Sequence, residues 1–151
     1  MSDVNATSET EMTEQEKKEA EGYEKPAIVD ITKGYESEKV KGIKFFRAFS
    51  FDFTDSDGIR RVGTFVVKRL TIGEAGQVGV RVAMLNGGMD GGVPPAVAVL
   101  NSMRAHLEFA LVERPEWFVM ENLYDERIIF GVYGEVAKFE DSFRRPVEGR
   151  R

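Results

Sequence analysis

Phe45-Phe46-Arg47-Ala48-Phe49-Ser50-Phe51-Asp52-Phe53-Thr54-Asp55-Ser56-Asp57-Gly58 decides the fold. Phe45, Phe49, Phe51 and Phe53 fall on one face of an extended chain, and Lys44, Ser50 and Asp52 on the other. That two-residue period marks a half-buried strand. Asp57-Gly58 is a favoured pair for a two-residue type I′ hairpin turn, whose central residues both need a left-handed backbone. A return strand then runs from about Ile59 to Leu70. With this turn Ser56 faces Ile59, and Phe53, Phe51 and Phe49 face Val62, Thr64 and Val66. Aromatic and β-branched partners then share a face. An isolated hairpin is only marginally stable, so this one must pack on helices or pair with another chain through its free edge.

Upstream, Pro26 begins the ordered part, and Ala27-Ile28-Val29-Asp30-Ile31 alternates well enough for a short strand closed by Gly34. Residues 1–25 contain almost no large apolar side chain and are expected to form a disordered acidic arm. They hold eight acids and three lysines, a balance of −5 that equals the net charge of all 151 residues. The rest of the chain is neutral, so it lacks the basic footprint that phosphate backbones require, and nucleic-acid binding is disfavoured. No apolar run reaches the roughly 18 residues of a membrane span. Met1-Ser2-Asp3 is too acidic and polar to open a secretory signal.

Downstream, Thr71-Ile72-Gly73-Glu74 is a capping box that opens a helix to about Leu85, with Ala75, Val78, Val82 and Leu85 as core positions. Gly73, Gly76 and Gly79 recur at three-residue steps inside it. Each costs up to about 1 kcal/mol against Ala, which implies another backbone packed closely there. Asn86 to Gly92 is a glycine-rich loop. A second helix starts at Pro94-Pro95 and runs to about Glu113, with Val97, Leu100, Leu107 and Leu111 inward, and Pro115 stops it. A third runs from about Asn122 to Arg144 on the stripe Ile128, Val132, Val136, Phe139 and Phe143, widened by Ile129 and Tyr133. The fold class is therefore α+β: a Phe-rich antiparallel hairpin or small sheet followed by three helices. One domain spans 26–145, β-rich to residue 70 and helical from 71, and 146–151 form a basic frayed tail.

Catalytic chemistry is not signalled. There is no cysteine, hence no disulfide, thiolate or Cys-based zinc site. His106, the only histidine, has no nucleophile motif near it and reads as an ordinary helix residue. Asp52 to Gly58 has the look of a calcium loop. With Gly58 at the sixth position, however, Phe53 and Thr64 stand where two ligands belong. Neither glycine cluster has dinucleotide spacing or a following Gly-Lys-Ser/Thr. No catalytic residue, cofactor or metal is expected. Partner contact is expected instead: Trp117, Phe118 and Tyr124 gather in one connector, where anchoring a partner competes with an equally strong core-filling reading, and Tyr133 on the last helix and Phe45 and Phe49 on the hairpin are further candidates.

Several of these stretches carry a family likeness. Phe65-Val66-Val67-Lys68-Arg69-Leu70-Thr71-Ile72-Gly73-Glu74 leads into a helix and a glycine-rich break. Leu107-Glu108-Phe109-Ala110-Leu111-Val112-Glu113-Arg114-Pro115-Glu116-Trp117-Phe118, Leu123-Tyr124-Asp125-Glu126 and Val132-Tyr133-Gly134-Glu135-Val136-Ala137-Lys138-Phe139-Glu140 follow. Over Phe65–Phe143, about half its length, the chain resembles the small tail assembly chaperones of long-tailed bacteriophages. The resemblance implies a cytoplasmic protein of the infected cell that keeps the tape-measure protein soluble and brings it to tail-tube subunits. Members of that family are largely helical, and the Phe-rich hairpin departs from their pattern. The departure keeps open a tail or baseplate subunit that stays in the virion and joins its sheets across copies.

Overall fold

The computed structural model describes residues 25–88 and 92–144. The expected acidic arm up to Glu24, residues 89–91 of the glycine loop and the expected basic tail lie outside them. Four antiparallel strands form one sheet in the order β1 (Ala27–Asp30), β2 (Phe46–Thr54), β3 (Arg60–Lys68) and β4 (Leu111–Glu113). Between β3 and β4 the chain makes α1 (Ile72–Leu85) and α2 (Pro95–Ala110), and after β4 it makes a short 3-10 turn (Met120–Asn122) and α3 (Glu126–Arg144). The α+β class and the three helices are as the residue pattern predicts.

The hairpin register differs from expectation by one residue. Phe53 faces Arg61, Phe51 faces Gly63 and Phe49 faces Phe65. The cause is Asp55. Its carboxylate accepts the N–H groups of Asp57 (3.0 Å) and Ile59 (2.9 Å), and its carbonyl accepts that of Gly58 (3.0 Å). The loop is thus three residues, Ser56-Asp57-Gly58, with only Gly58 left-handed at φ 77°. Asp57 escapes the left-handed geometry that a type I′ turn would have forced on it.

Shifting by one turns the other face of β3 inward. Phe65 and Val67 join Phe49, Phe51 and Phe53 in the main core, against Leu107, Ala110, Phe118, Ile128, Val132 and Val136 from the helical layer. Phe49 and Phe65 stack at 5.5 Å, and Phe51 meets Phe65 edge-on at 5.7 Å. Each such buried ring is worth roughly 2 kcal/mol relative to exposure. Val66, now pointing the other way, forms a second cluster with Ala48 and Val40 under Ile31, Tyr35, Ile43 and Phe46. Residues 31–43 therefore cross the back of the sheet, a layer the sequence pattern did not announce. The hydroxyls of Tyr35 and Ser37 donate to the Glu113 carboxylate. The Ser37 and then the Tyr35 hydrogen bonds hold that carboxyl below its usual range against the opposing effect of burial.

Expected as the end of the second helix, Leu111–Glu113 are instead strand β4, paired to Val66 and Val67. The exposed edge of β3 supplies backbone partners there, and Pro115 disfavours helix at the residue before it. The Trp117 indole N–H donates to the Val62 carbonyl (2.9 Å), and Pro115 lies over Gly63. Neither long edge of the hairpin is free as expected, since β1 pairs with β2 and β4 with the Pro115–Trp117 turn covers β3.

A Cβ at Gly63 would lie 2.1 Å from Pro115 Cγ. Gly63→Val is expected to cost about 2 kcal/mol or more, read as a lower urea midpoint at unchanged slope. Val62→Thr, on the half-exposed neighbour, should move the midpoint by less than about 0.5 kcal/mol. Equal midpoints for the two variants would refute the close approach.

Candidate protein-interaction surface

The six aromatic residues picked out for partner contact do not assemble into one patch. Phe49 and Phe118 are fully buried, so neither is available to a partner; Phe118 follows the core-filling alternative, and Phe49 is not the partner contact it is expected to be. Phe118 meets Phe65 edge-on at 5.0 Å, and a bare aromatic ring gains most when wholly removed from water. Trp117 is half-buried against Phe51, Phe65 and Phe118, with its polar tip committed to Val62. Tyr133 is half-buried, edge-on to His106 at 5.6 Å. Phe45 is 41% exposed, with Phe143 at 5.4 Å and the Arg69 guanidinium over both rings, at 5.6 and 4.6 Å. Only Tyr124 is thoroughly presented to solvent, at 92%.

Tyr124 stands at the rim of an open cleft of about 790 Å³ between α2, the 3-10 turn and the start of α3. Leu100, Met120, Leu123 and Ile129 give the cleft its apolar lining, and Arg104, Glu121, Glu126 and Arg127 its polar one. The local backbone is pinned by Asp125. Its carboxylate accepts N–H groups from Ser56 and Arg127, both at 3.0 Å, which ties the hairpin loop to the first turn of α3. The Arg127 guanidinium grips the same carboxylate at 2.7 to 3.2 Å and lies 5.4 Å over the Phe53 ring. The Arg127 hydrogen bond is the main reason that the Asp125 carboxyl is lowered to about 2, with the two backbone N–H groups adding to it against burial. Arg104 is held loosely by comparison. Its contacts to Asn101 and Glu121 are 3.4 and 3.5 Å, and its buried Nε has no partner among the described residues.

A second surface escaped the sequence reading. Helix α1 has the expected capping box, yet none of its 14 residues is buried. Val78, Val82 and Leu85 are half-buried towards α2, but Ala75 is exposed. The backbone expected to pack on its glycines is absent among the described residues. Nothing lies within 4 Å of a Cβ built on Gly76 or Gly79, and only Thr71 Oγ1, at 3.9 Å, near one on Gly73. Polar contacts add to the half-buried apolar residues in holding the helix. Arg81 forks onto Glu108 of α2 at 2.8 and 3.2 Å, Glu74 takes Lys68, and buried Asn101 donates to Asn86 at 2.9 Å. With both charges engaged, the outward face is Ile72, Gly73, Gly76, Gln77, Gly79, Val80, Ala83 and Met84, and Ile72 is 94% exposed. A helical projection of charge rather than of hydrophobicity would have disclosed it.

His106 bridges α2 to α3 through Nε2 and Glu140 Oε1 at 2.6 Å. Among the described residues no group of three or more His, Cys, Asp or Glu is placed to hold a metal ion, and no helix is long and apolar enough to cross a membrane. Comparison with family models, curated proteins and solved structures finds no match to this chain.

The Asp125 carboxyl is lowered to about 2 from an ordinary 3.8. Its contribution is therefore complete above about pH 4 and lost as pH falls towards 2. Asp125→Ala is expected to cost on the order of 2 kcal/mol at neutral pH. The gap in urea midpoint from the parent should stay constant down to about pH 4 and close below it. A gap independent of pH down to 2 would contradict this assignment.

Proposed function

We propose that the chain is a tail assembly chaperone of a long-tailed bacteriophage, which binds the tape-measure protein and recruits tail-tube subunits without performing catalysis. The observation that carries this reading is Tyr124, 92% exposed at the rim of a cleft lined by Leu100, Met120, Leu123 and Ile129. An exposed aromatic beside an apolar recess, ringed by polar groups, is the usual composition of a binding hot spot. The resemblance over Phe65–Phe143 includes Leu123-Tyr124-Asp125-Glu126, the segment at this rim.

In this mechanism apolar side chains of the tape-measure protein enter the cleft and leave it reversibly. Tyr124 closes over them, while Arg104, Glu121 and Glu126 keep the rim wetted. The acidic N-terminal residues hold the complex soluble, and the protein acts in the cytoplasm of the infected cell. The alternative, a virion tail subunit joined through its sheet, draws less support. The hairpin edges it would use are covered by β1, β4 and Trp117, leaving β1 and β4 as edges of four and three residues.

Co-expression with the neighbouring tail genes tests the proposal. Tyr124→Ala is expected to lower recovery of the tape-measure protein at least about tenfold. The thermal midpoint should not move, because the side chain is almost wholly in water. Unchanged recovery, or stoichiometric amounts of this chain in purified virions by mass spectrometry, overturns it.

A further inference from the structure

The outward face of α1 has no occupant among the described residues. It displays Ile72, Val80 and Met84, which are 94%, 64% and 64% exposed, beside three glycines. Both charged side chains of the helix, Glu74 and Arg81, are spent on Lys68 and Glu108, so Gln77 is the only polar group outward. We propose that this face docks on the same face of a second copy of the chain, forming a dissociable symmetric dimer with α1 crossing α1.

Charge selects the occupant. Residues 1–24 carry eight acids and 145–151 carry three arginines, and an uncharged apolar face offers neither segment an ionic partner. In a twofold interface the groups nearest the axis meet their own copies, so a charge there would repel itself. A face emptied of charge by inward pairing meets that requirement. Its relief is self-complementary as well. Val80, Ile72 and Met84 stand as ridges, and with nothing within 4 Å of a Cβ position at Gly76 or Gly79, the hollows there are open to receive them.

Area sets the strength. A helix of 14 residues is about 21 Å long, so one crossing buries a few hundred Å² per copy, under the roughly 800 Å² of a standard stable interface. The dimer is therefore weak and concentration-dependent. It is a property of the chain alone and does not rest on the cleft or its client.

The natural absence of cysteine makes the test clean. Gly76→Cys and Val80→Cys are single-cysteine reporters at exposed positions of the crossing, and Ser142→Cys is an exposed control on α3. On mild oxidation the two α1 reporters are expected to form disulfide-linked dimers at least about tenfold faster than the control, since only a close crossing brings Cα atoms within the roughly 4.4–6.8 Å a disulfide needs. Sedimentation of the unmodified chain should pass from monomer at a few micromolar to mostly dimer at about a millimolar. Val80→Glu should keep the circular dichroism of the parent and remain monomeric. Overturning results are a parent that sediments as a monomer at every concentration, as it would if the face were kept for a foreign helix, or equal cross-linking of all three reporters.

Discussion

The carboxylate of Asp55, holding the N–H groups of Asp57 and Ile59, sets the register on which the rest of the structure depends. Burial pushes this carboxyl up, but the Ile59 N–H, the Arg61 guanidinium and the Asp57 N–H outweigh it and keep it below its usual range. A carboxylate so satisfied fixes a three-residue loop, and the loop decides which face of β3 looks inward. Phe65 and Val67 then enter the core, and Gly63 comes opposite Phe51. Only a glycine leaves room there for Pro115 to cross the strand. Once Pro115 crosses, Trp117 reaches the Val62 carbonyl and Phe118 drops into the core. The chain is thereby delivered to the 3-10 turn that carries Tyr124 to the rim of its cleft.

The same loop is gripped from outside. Asp125 caps α3 and holds the Ser56 N–H, so hairpin and helix are locked by one carboxylate. At the other end of the hairpin, buried Glu135 of α3 takes Arg47 at 2.8 Å, and Arg47 reaches Asp30 of β1 at 3.1 Å. Buried ion pairs of this kind contribute little net stability once desolvation is counted, but breaking one is costly. Their use here is positional: they set where α3 lies on an aromatic surface that would otherwise tolerate sliding, because dispersion between rings is weakly directional.

What was legible in the residues follows from how local each signal is. The capping box at Thr71 and Glu74, the Phe stripe of β2 and the apolar stripe of α3 are short-range patterns, and all three appear in the structure. The hairpin register was not legible from Asp57-Gly58 alone, since Asp55 offers a competing loop at the same place. Leu111–Glu113 fit a helical period and a strand equally, and only the open edge of β3 selects the strand. Residues 31–43 have no period, because they cover the sheet as an irregular layer. Polarity separates Tyr124 from Phe49 and Phe118, though not Phe45, which is 41% exposed. Tyr124 has a hydroxyl to keep wet, whereas Phe49 and Phe118 have nothing to lose by complete burial.

The two halves of the molecule satisfy their backbones in different ways, and this sets what each can present to solvent. In the sheet half, backbone hydrogen bonding is closed off: β1, β4 and the Trp117 indole occupy the flanks of the hairpin, and the exposed edges are too short to template a foreign strand. In the helical half the reverse holds. Helix backbones satisfy themselves, so apolar side chains can stand outward there without leaving unpaired amides, and α1 and the Tyr124 rim both use that freedom. The inward turn of Glu74 and Arg81 follows the same logic. Polar pairs fasten α1 to its neighbours beside the half-buried Val78, Val82 and Leu85, and this leaves Ile72, Val80 and Met84 on a face without charge.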